Sequence, residues 1–93
     1  MTKDEILQSI RTIIENSSAD IGEAYIFGSF ANNTDTQFSD IDIAISCEDC
    51  GRFFDICDEI NEILTLRKFD IHNTYYEKFH FDMEAIRSGI KLR

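Results

Sequence analysis

GSFANNTDTQFSDID, residues 28–42, is the stretch that decides both the fold and the chemistry of this chain. It follows one apolar run, residues 24–27, and its end leads into a second. Asp40 and Asp42 flank Ile41, and two carboxylates two residues apart on a strand point to the same face. Acids this close repel each other unless a cation lies between them, so the spacing favours a metal site.

Gly28 and Ser29 begin the same stretch, directly after the first apolar run. A Gly-Ser turn that leaves a buried strand presents free backbone N–H groups to an anion. The turn alone is weak evidence, because glycine commonly ends strands for backbone reasons. Together with the two acids, it predicts a metal site that faces a phosphate site.

Composition narrows the classes of function. The 93 residues include 18 acidic and 9 basic ones, for a formal net charge of −9. No basic stripe is visible, so direct nucleic-acid binding is not expected. No run approaches the roughly 18 apolar residues that span a bilayer, so no membrane association is expected. The first residues lead directly into an amphipathic pattern instead of a signal peptide, and we expect a cytoplasmic protein.

The three cysteines, Cys47, Cys50 and Cys57, do not favour a metal site of their own. Cys47-x-x-Cys50 is half of a zinc signature, and the second half is missing. We expect reduced thiols, with Cys57 as a small core residue on the apolar face of a helix, beside Phe53, Phe54 and Ile60.

Hydrophobic periodicity predicts the order helix, strand, strand, helix, strand, helix. The predicted helices cover residues 3–16 and 50–65 and the segment after Thr74, and the strands cover residues 24–27, 40–46 and 68–72. Thr2-x-x-Glu5 predicts a capping box at the first helix. Residues 32–39 are polar and lack periodicity, which predicts a loop.

The last helix is expected to be continuous. Thr74-x-x-Glu77 is a second capping-box pattern. Three apolar residues recur at i, i+4 and i+7: Phe79, Met83 and Ile86. Gly89 is well placed to end the helix, and residues 90–92 form a short extended tail. The whole predicts one α/β (α+β) domain over residues 1–93, a small sheet with helices on one face and Asp40, Asp42 and Asp70 on the other.

The combined pattern is far more specific than its parts. Gly28-Ser29, a ten-residue spacer, Asp40-Ile41-Asp42 and a later strand with Asp70 resemble the signature of the minimal nucleotidyltransferase domain of the DNA polymerase β-like superfamily. The ending, residues 86–92, also resembles that family's closing helix, glycine and apolar tail. The resemblance covers essentially the whole chain, and it implies a small mixed sheet of the polymerase β-like fold.

The resemblance also implies an activity. Such small domains are typically the antitoxin half of HEPN/MNT toxin–antitoxin pairs, and better-studied members transfer AMP from ATP to a tyrosine of the HEPN toxin. By this resemblance Asp40, Asp42 and Asp70 are the catalytic residues and hold two Mg²⁺ ions, with Asp70 also helping to deprotonate the attacking hydroxyl. Gly28 and Ser29 bind the terminal phosphates of the nucleotide, and Ser39 belongs to the nucleotide site as a residue that orders the loop.

One departure from the family pattern concerns the turn, which often reads Gly-Ser-x-Ala-Arg-Gly. Asn32 and Asn33 stand at the Arg and Gly positions. Asparagine tolerates a left-handed backbone better than most residues, so the turn survives, but asparagine does not replace the lost cation. Four basic residues remain candidates to contact the triphosphate: Arg67, Lys68, Lys78 and Arg87.

Two other functions stay open. A non-catalytic or weakly catalytic binding module that neutralises a partner protein by complex formation fits the small size and the acidic surface. Both a homo-oligomer and a hetero-oligomer stay open. Transfer to a small molecule is less favoured, since the chain shows no extra domain to complete such a substrate pocket. His72 and His80 lie in no recognisable triad context, so a nucleophilic serine is not expected.

Overall fold

The computed structural model describes residues 2–63 and 67–93. The helices and strands follow in the order α1 (Lys3–Asn16), β1 (Ile21–Phe27), β2 (Ile41–Cys47), α2 (Cys50–Ile63), β3 (Phe69–Asn73), α3 (Thr74–Glu77), α4 (Met83–Arg87) and β4 (Ile90–Lys91). Two short 3₁₀ helices lie at Ser18–Asp20 and Lys78–His80. The last two residues of the second predicted helix, 64 and 65, lie outside the described residues.

Helix α1 forms as its sequence pattern predicts. The Thr2 side chain accepts a hydrogen bond from the Glu5 backbone N–H, and the Glu5 side chain accepts one from the Thr2 N–H, which confirms the capping box. Four isoleucines on one side of the helix are buried: Ile6, Ile10, Ile13 and Ile14. The two longest helices each have 14 residues, and within the described ranges no helix has the length and apolarity to cross a membrane.

The sheet has four strands in the order β3-β2-β1-β4. Strand β1 is antiparallel to both β2 and β4, whereas β2 and β3 are parallel. A parallel pair needs a crossover connection, and α2 provides it. The mixed sheet with packed helices confirms the predicted fold class.

The core lies between the sheet and the two long helices. Ile41, Ile43 and Ile45 alternate along β2 and belong to the same buried cluster as the isoleucines of α1. Helix α2 adds Phe53, Ile56 and Ile60 to this cluster. Because side chains alternate along a strand, those of Asp42, Ala44 and Ser46 face the opposite side of the sheet. The core side is called the core face below, and the opposite side the open face.

Two residues expected on the apolar side of α2 differ in their burial. Cys57 is partly buried and packs against the core, as expected, and burial raises the pKa of its thiol to about 11. Phe54 is 63% exposed, so it lies outside the buried cluster. Cys47, Cys50 and Cys57 are all free thiols.

The prediction of one continuous helix after Thr74 is wrong. The segment forms α3, a 3₁₀ turn and α4, with Phe81 in an extended conformation between the last two. Asn73, not Thr74, caps α3 by accepting the Tyr75 N–H, and Asp82 caps α4 by accepting two N–H groups. Side-chain caps of this kind start new helices, so two of them divide the segment. Phe79 is consequently 89% exposed instead of sharing a buried stripe with Ile86.

The predicted extended tail forms β4, the edge strand of the sheet beside β1. Helix α4 ends at Arg87, and Ile90–Lys91 pairs with β1. A Cβ atom at Gly89 would overlap the backbone carbonyl oxygen of Ile26. Only glycine therefore allows the chain to pass this close to β1 on its way into the sheet.

Candidate active site

The parallel pairing of β2 and β3 brings two of the predicted acids together. Asp42 and Asp70 are register partners, so their side chains leave neighbouring positions on the open face. Phe27 is the register partner of Asp42 on β1, directly before the Gly28 turn. Three separate parts of the chain therefore meet at the position of Asp42.

A histidine that sequence reasoning left without a role completes this cluster. Asp42, Asp70 and His72 each offer a ligand atom, and the three atoms all lie within 4.8 Å of one another. The Nε2 atom of His72 lies 3.5 Å from Oδ1 of Asp70. The signal was available in the sequence, because Asp70-Ile71-His72 places both side chains on one face of a strand. The carboxylate and imidazole donors fit a divalent cation.

Burial and like charges act on the central carboxylate. The pKa of Asp42 is raised, first by burial and then by the negative charge of Asp70, with a smaller contribution from Asp40. The nearby His72 has the opposite effect and lowers the pKa of Asp42. A bound cation relieves this repulsion, which is a second indication that the residues present fit a metal.

Asp40 lies just before β2 and outside the three-residue cluster. It is half-buried, and it is close enough for its charge to raise the pKa of Asp42. The structure therefore places the carboxylates of Asp42 and Asp70 close enough to bind the same ion and leaves Asp40 at the margin of the site.

The Gly28 turn lies directly against the Asp42 carboxylate. Gly28 has a φ of +74°, a conformation that side chains rarely adopt. A Cβ atom at this position would lie 2.5 Å from Oδ2 of Asp42. Glycine is thus needed both for the backbone conformation and for the space beside the acid.

Backbone hydrogen bonds close the turn that follows Gly28. The Asn32 N–H donates to the Gly28 carbonyl, and the Thr34 N–H donates to the Ser29 carbonyl. Asn33 has a φ of +57°, which confirms that an asparagine adopts the left-handed conformation in this turn. Three N–H groups of the turn, those of Ser29, Phe30 and Ala31, donate to no backbone carbonyl within residues 2–63 and 67–93.

The rest of the loop is held by polar contacts. Ser39 Oγ accepts a hydrogen bond from the Thr36 N–H, and its carbonyl accepts one from Arg67. Asp35 lies between two cations: Lys3 Nζ is 2.6 Å and an Arg67 amino nitrogen 3.3 Å from its carboxylate. The hydrogen bond from Lys3 is the main cause that lowers the pKa of Asp35. These contacts attach the loop to the start of α1 and to the residues before β3.

The four basic residues proposed for triphosphate differ in their contacts. Arg67 contacts Asp35 and Ser39, and Arg87 contacts Glu23 at 3.1 Å, so both are engaged within the protein. Lys78 lies over the Phe79 ring, 5.4 Å from its centroid. In the part of the chain that the structure describes, neither Lys68 nor Lys78 forms an ion pair.

The sequence matches a model of one family of known proteins. A sequence model of the family described as polymerase beta, nucleotidyltransferase, matches residues 8–93, which is most of the chain. A comparison with curated proteins found no match to the chain.

Proposed function

The chain belongs to the polymerase β nucleotidyltransferase family, and on that premise we propose that it transfers AMP from ATP to a hydroxyl group of a partner protein. Nucleotidyl transfer is the general activity that the family match supports. The observation that carries the proposal for this chain is the register pairing of Asp42 and Asp70, with the Gly28 turn against Asp42. Carboxylates beside an anion-binding turn suit a substrate that combines a metal with a triphosphate.

In this proposal Asp40, Asp42 and Asp70 are the catalytic and metal-binding residues. Two Mg²⁺ ions held by these acids would stabilise the charge that develops as the hydroxyl oxygen bonds to the α-phosphorus and pyrophosphate leaves. Asp70 also accepts the proton of the attacking hydroxyl, and its exposed side chain supports that role because an acceptor can reach it. Asp42 is the more buried of the paired acids and holds its position beside the turn.

The nucleotide phosphates are assigned to the turn. Gly28 leaves room for a phosphate to approach the backbone, and the N–H groups of Ser29, Phe30 and Ala31 are available donors. The Ser29 hydroxyl is proposed to donate to a terminal phosphate oxygen. Ser39 contributes to the nucleotide site by fixing the loop through its contact with Thr36.

The acceptor is proposed to be a tyrosine of a HEPN-type toxin, which makes this chain the antitoxin of a pair in the cytoplasm. The family resemblance is the basis for the acceptor and the partner. The net charge of −9 also supports a protein partner with a basic surface, since complementary charges favour encounter.

Label transfer tests the proposal directly. The protein is incubated with ATP radiolabelled at the α-phosphate, Mg²⁺ and the HEPN-type partner, and label on the partner is measured after separation. We expect labelling by the wild type and none by Asp42→Asn. Asp58→Asn is the matched control, because it makes the same charge change at an exposed position on α2 and is expected to label normally.

The acceptor must be shown to be competent. A second family member with established activity is run on the same partner preparation. If that enzyme labels the partner and wild-type protein of this chain does not, the proposed transfer reaction is wrong.

A second function, neutralisation of a partner by complex formation alone, is favoured by the exposed aromatic residues. Phe38 is 86% and Phe79 89% exposed, and large exposed apolar side chains are enriched at binding surfaces. Cells that express the toxin distinguish the two functions. If Asp40→Asn combined with Asp42→Asn protects them as well as the wild type, binding is sufficient and transfer is not the protective activity.

A further inference from the structure

We propose that Asp42, Asp70 and His72 form a mixed oxygen and nitrogen site that binds a divalent transition metal at one of the two metal positions of the proposed function, in preference to Mg²⁺. The proposal deepens the proposed function and rests on it, because it concerns the metal that the same site holds. An all-carboxylate site offers only oxygen atoms, which suit Mg²⁺. His72 changes the donor set, and with it the preferred ion.

The imidazole of His72 is turned so that one nitrogen faces the acids. Nε2 lies 3.5 Å from Oδ1 of Asp70. One ring nitrogen of His72 lies within 4.8 Å of ligand atoms of both Asp42 and Asp70, so one ion is within reach of all three residues. The other ring nitrogen, Nδ1, lies 3.9 Å from Oε2 of Glu77. At this distance the Glu77 carboxylate makes an ion-pair contact with the Nδ1 side of the ring and not a hydrogen bond, and its charge favours metal binding through the other nitrogen.

Aromatic packing holds the ring in this orientation. The His72 ring centroid lies 4.9 Å from that of Phe81 and 6.2 Å from that of Phe27. Ala44 is its register partner on β2, so no bulky side chain competes for the space across the strands. A ring that packing already orients loses little conformational freedom when it binds an ion.

The donor set determines the preference. Imidazole nitrogen suits metals such as Zn²⁺, Ni²⁺ and Fe²⁺, and affinity for nitrogen and oxygen sites rises from Mn²⁺ through Co²⁺ to Cu²⁺. Mg²⁺ favours oxygen ligands and retains its waters. Nitrogen from His72 therefore adds affinity for a transition metal and adds little for Mg²⁺.

The test measures metal binding by the whole chain without nucleotide or acceptor. Calorimetric titrations with Co²⁺ and with Mg²⁺ are compared for the wild type, and Co²⁺ is expected to bind at least about tenfold more tightly. His72→Gln places an amide oxygen near the position of Nε2. We expect it to lose Co²⁺ affinity about tenfold or more and to keep its Mg²⁺ affinity.

Two further variants separate ligation from other effects. His80→Gln is the matched control, because His80 is an exposed histidine outside the cluster, and both affinities are expected to stay unchanged. Glu77→Gln removes the charge behind His72, and we expect a smaller loss of Co²⁺ affinity with no change for Mg²⁺, as for a positioning residue.

A spectroscopic measurement on the wild type makes the test independent of variant folding. A histidine bound to Co²⁺ gives a strongly shifted, exchangeable N–H resonance in the proton NMR spectrum, and one such resonance is expected, retained in His80→Gln. Its absence, equal affinity for the two metals, or unchanged selectivity in His72→Gln would overturn the proposal. Because these measurements need no ATP or partner, a failure of nucleotidyl transfer leaves their result unaffected.

Discussion

The two faces of the sheet are built from alternate residues of the same strand, yet they serve different purposes. Ile41, Ile43 and Ile45 of β2 are fully buried on the core face. Asp42, between two of them, is only half-buried on the open face, and its carboxylate lies among other charged groups. Stability is therefore concentrated on one face, and the candidate chemistry on the other.

Substitutions of adjacent residues on β2 are therefore expected to affect different properties, stability on the core face and activity on the open face. Burial of the isoleucine side chains stabilises the folded state through the hydrophobic effect, which does not depend on polar or charged groups. The acids on the open face repel one another, and burial disfavours the charged form of Asp42, so they lower the stability of the metal-free protein.

Ile43→Ala should have the largest effect, and it should be an effect on stability. Ile43 is fully buried in the core cluster, so its truncation leaves a cavity and is expected to lower the free energy of unfolding by about 2–5 kcal/mol. Urea denaturation followed by circular dichroism measures the loss. Transfer activity per folded molecule should stay near that of the wild type, and a selective loss of activity would contradict the separation of the two faces.

Asp42→Asn, one residue away, should give the opposite result. Loss of a charged ligand is expected to lower the rate of label transfer by about a hundredfold or more. The free energy of unfolding without metal should stay within about 0.5 kcal/mol of the wild type or rise, because one like-charge repulsion is removed. A stability loss comparable to that of Ile43→Ala would show that Asp42 has a structural role.

Gly28→Ala should lower both the stability and the ATP affinity, because Gly28 has a positive φ and lies beside the Asp42 carboxylate. The positive φ of Gly28 is expected to cost about 2 kcal/mol of unfolding free energy once a side chain is present. The new Cβ atom would also displace the Asp42 carboxylate, so ATP binding in the presence of metal should be lost.

Gly22→Ala is the matched control for this substitution. A Cβ atom at Gly22 would meet Ser46 Oγ at an ordinary contact distance of 3.6 Å. We expect unchanged ATP binding and equal or higher stability, since alanine restricts the unfolded chain. Similar losses in the two variants would argue against a special role of the Gly28 turn.

Ser29→Ala should have a smaller effect, confined to the ligand. It removes one hydroxyl and keeps every backbone N–H of the turn, so ATP affinity should fall by about 1–2 kcal/mol, typical of a hydrogen bond to a charged group. Titration calorimetry with a non-hydrolysable ATP analogue measures the change. Unchanged affinity and transfer rate would place the phosphates on another part of the chain.

The pH dependence of stability should show the smallest effect. The pKa of Asp42 is raised in the folded, metal-free protein, so the folded state holds this proton more tightly than the unfolded state. As pH rises above about 4, the ordinary range for aspartate, the wild type should lose stability relative to Asp42→Asn. Unfolding curves of both proteins at pH values from about 3 to about 7, which include the ordinary titration range of aspartate, measure this difference. A constant difference across the range would contradict the raised pKa.

The sequence predicted the parts of the fold that depend on strong local patterns. Isoleucine spacing and the capping box of Thr2 and Glu5 were sufficient for α1, and alternation was sufficient for β2. The last helix was wrongly predicted as continuous. The helical spacing of three apolar residues was given more weight than the capping side chains of Asn73 and Asp82, which begin two separate helices. Short helices depend on such caps more than on periodicity.

The sequence by itself determined the carboxylates, the glycine turn and the family, because all three are local motifs in a fixed order. Only the tertiary structure decided which residues meet. The parallel register of β2 and β3 puts Asp42 beside Asp70, brings in His72 and leaves Asp40 outside the cluster. The physical reason is that strand register is set by side-chain packing across the whole sheet, and no spacing within one strand contains that information.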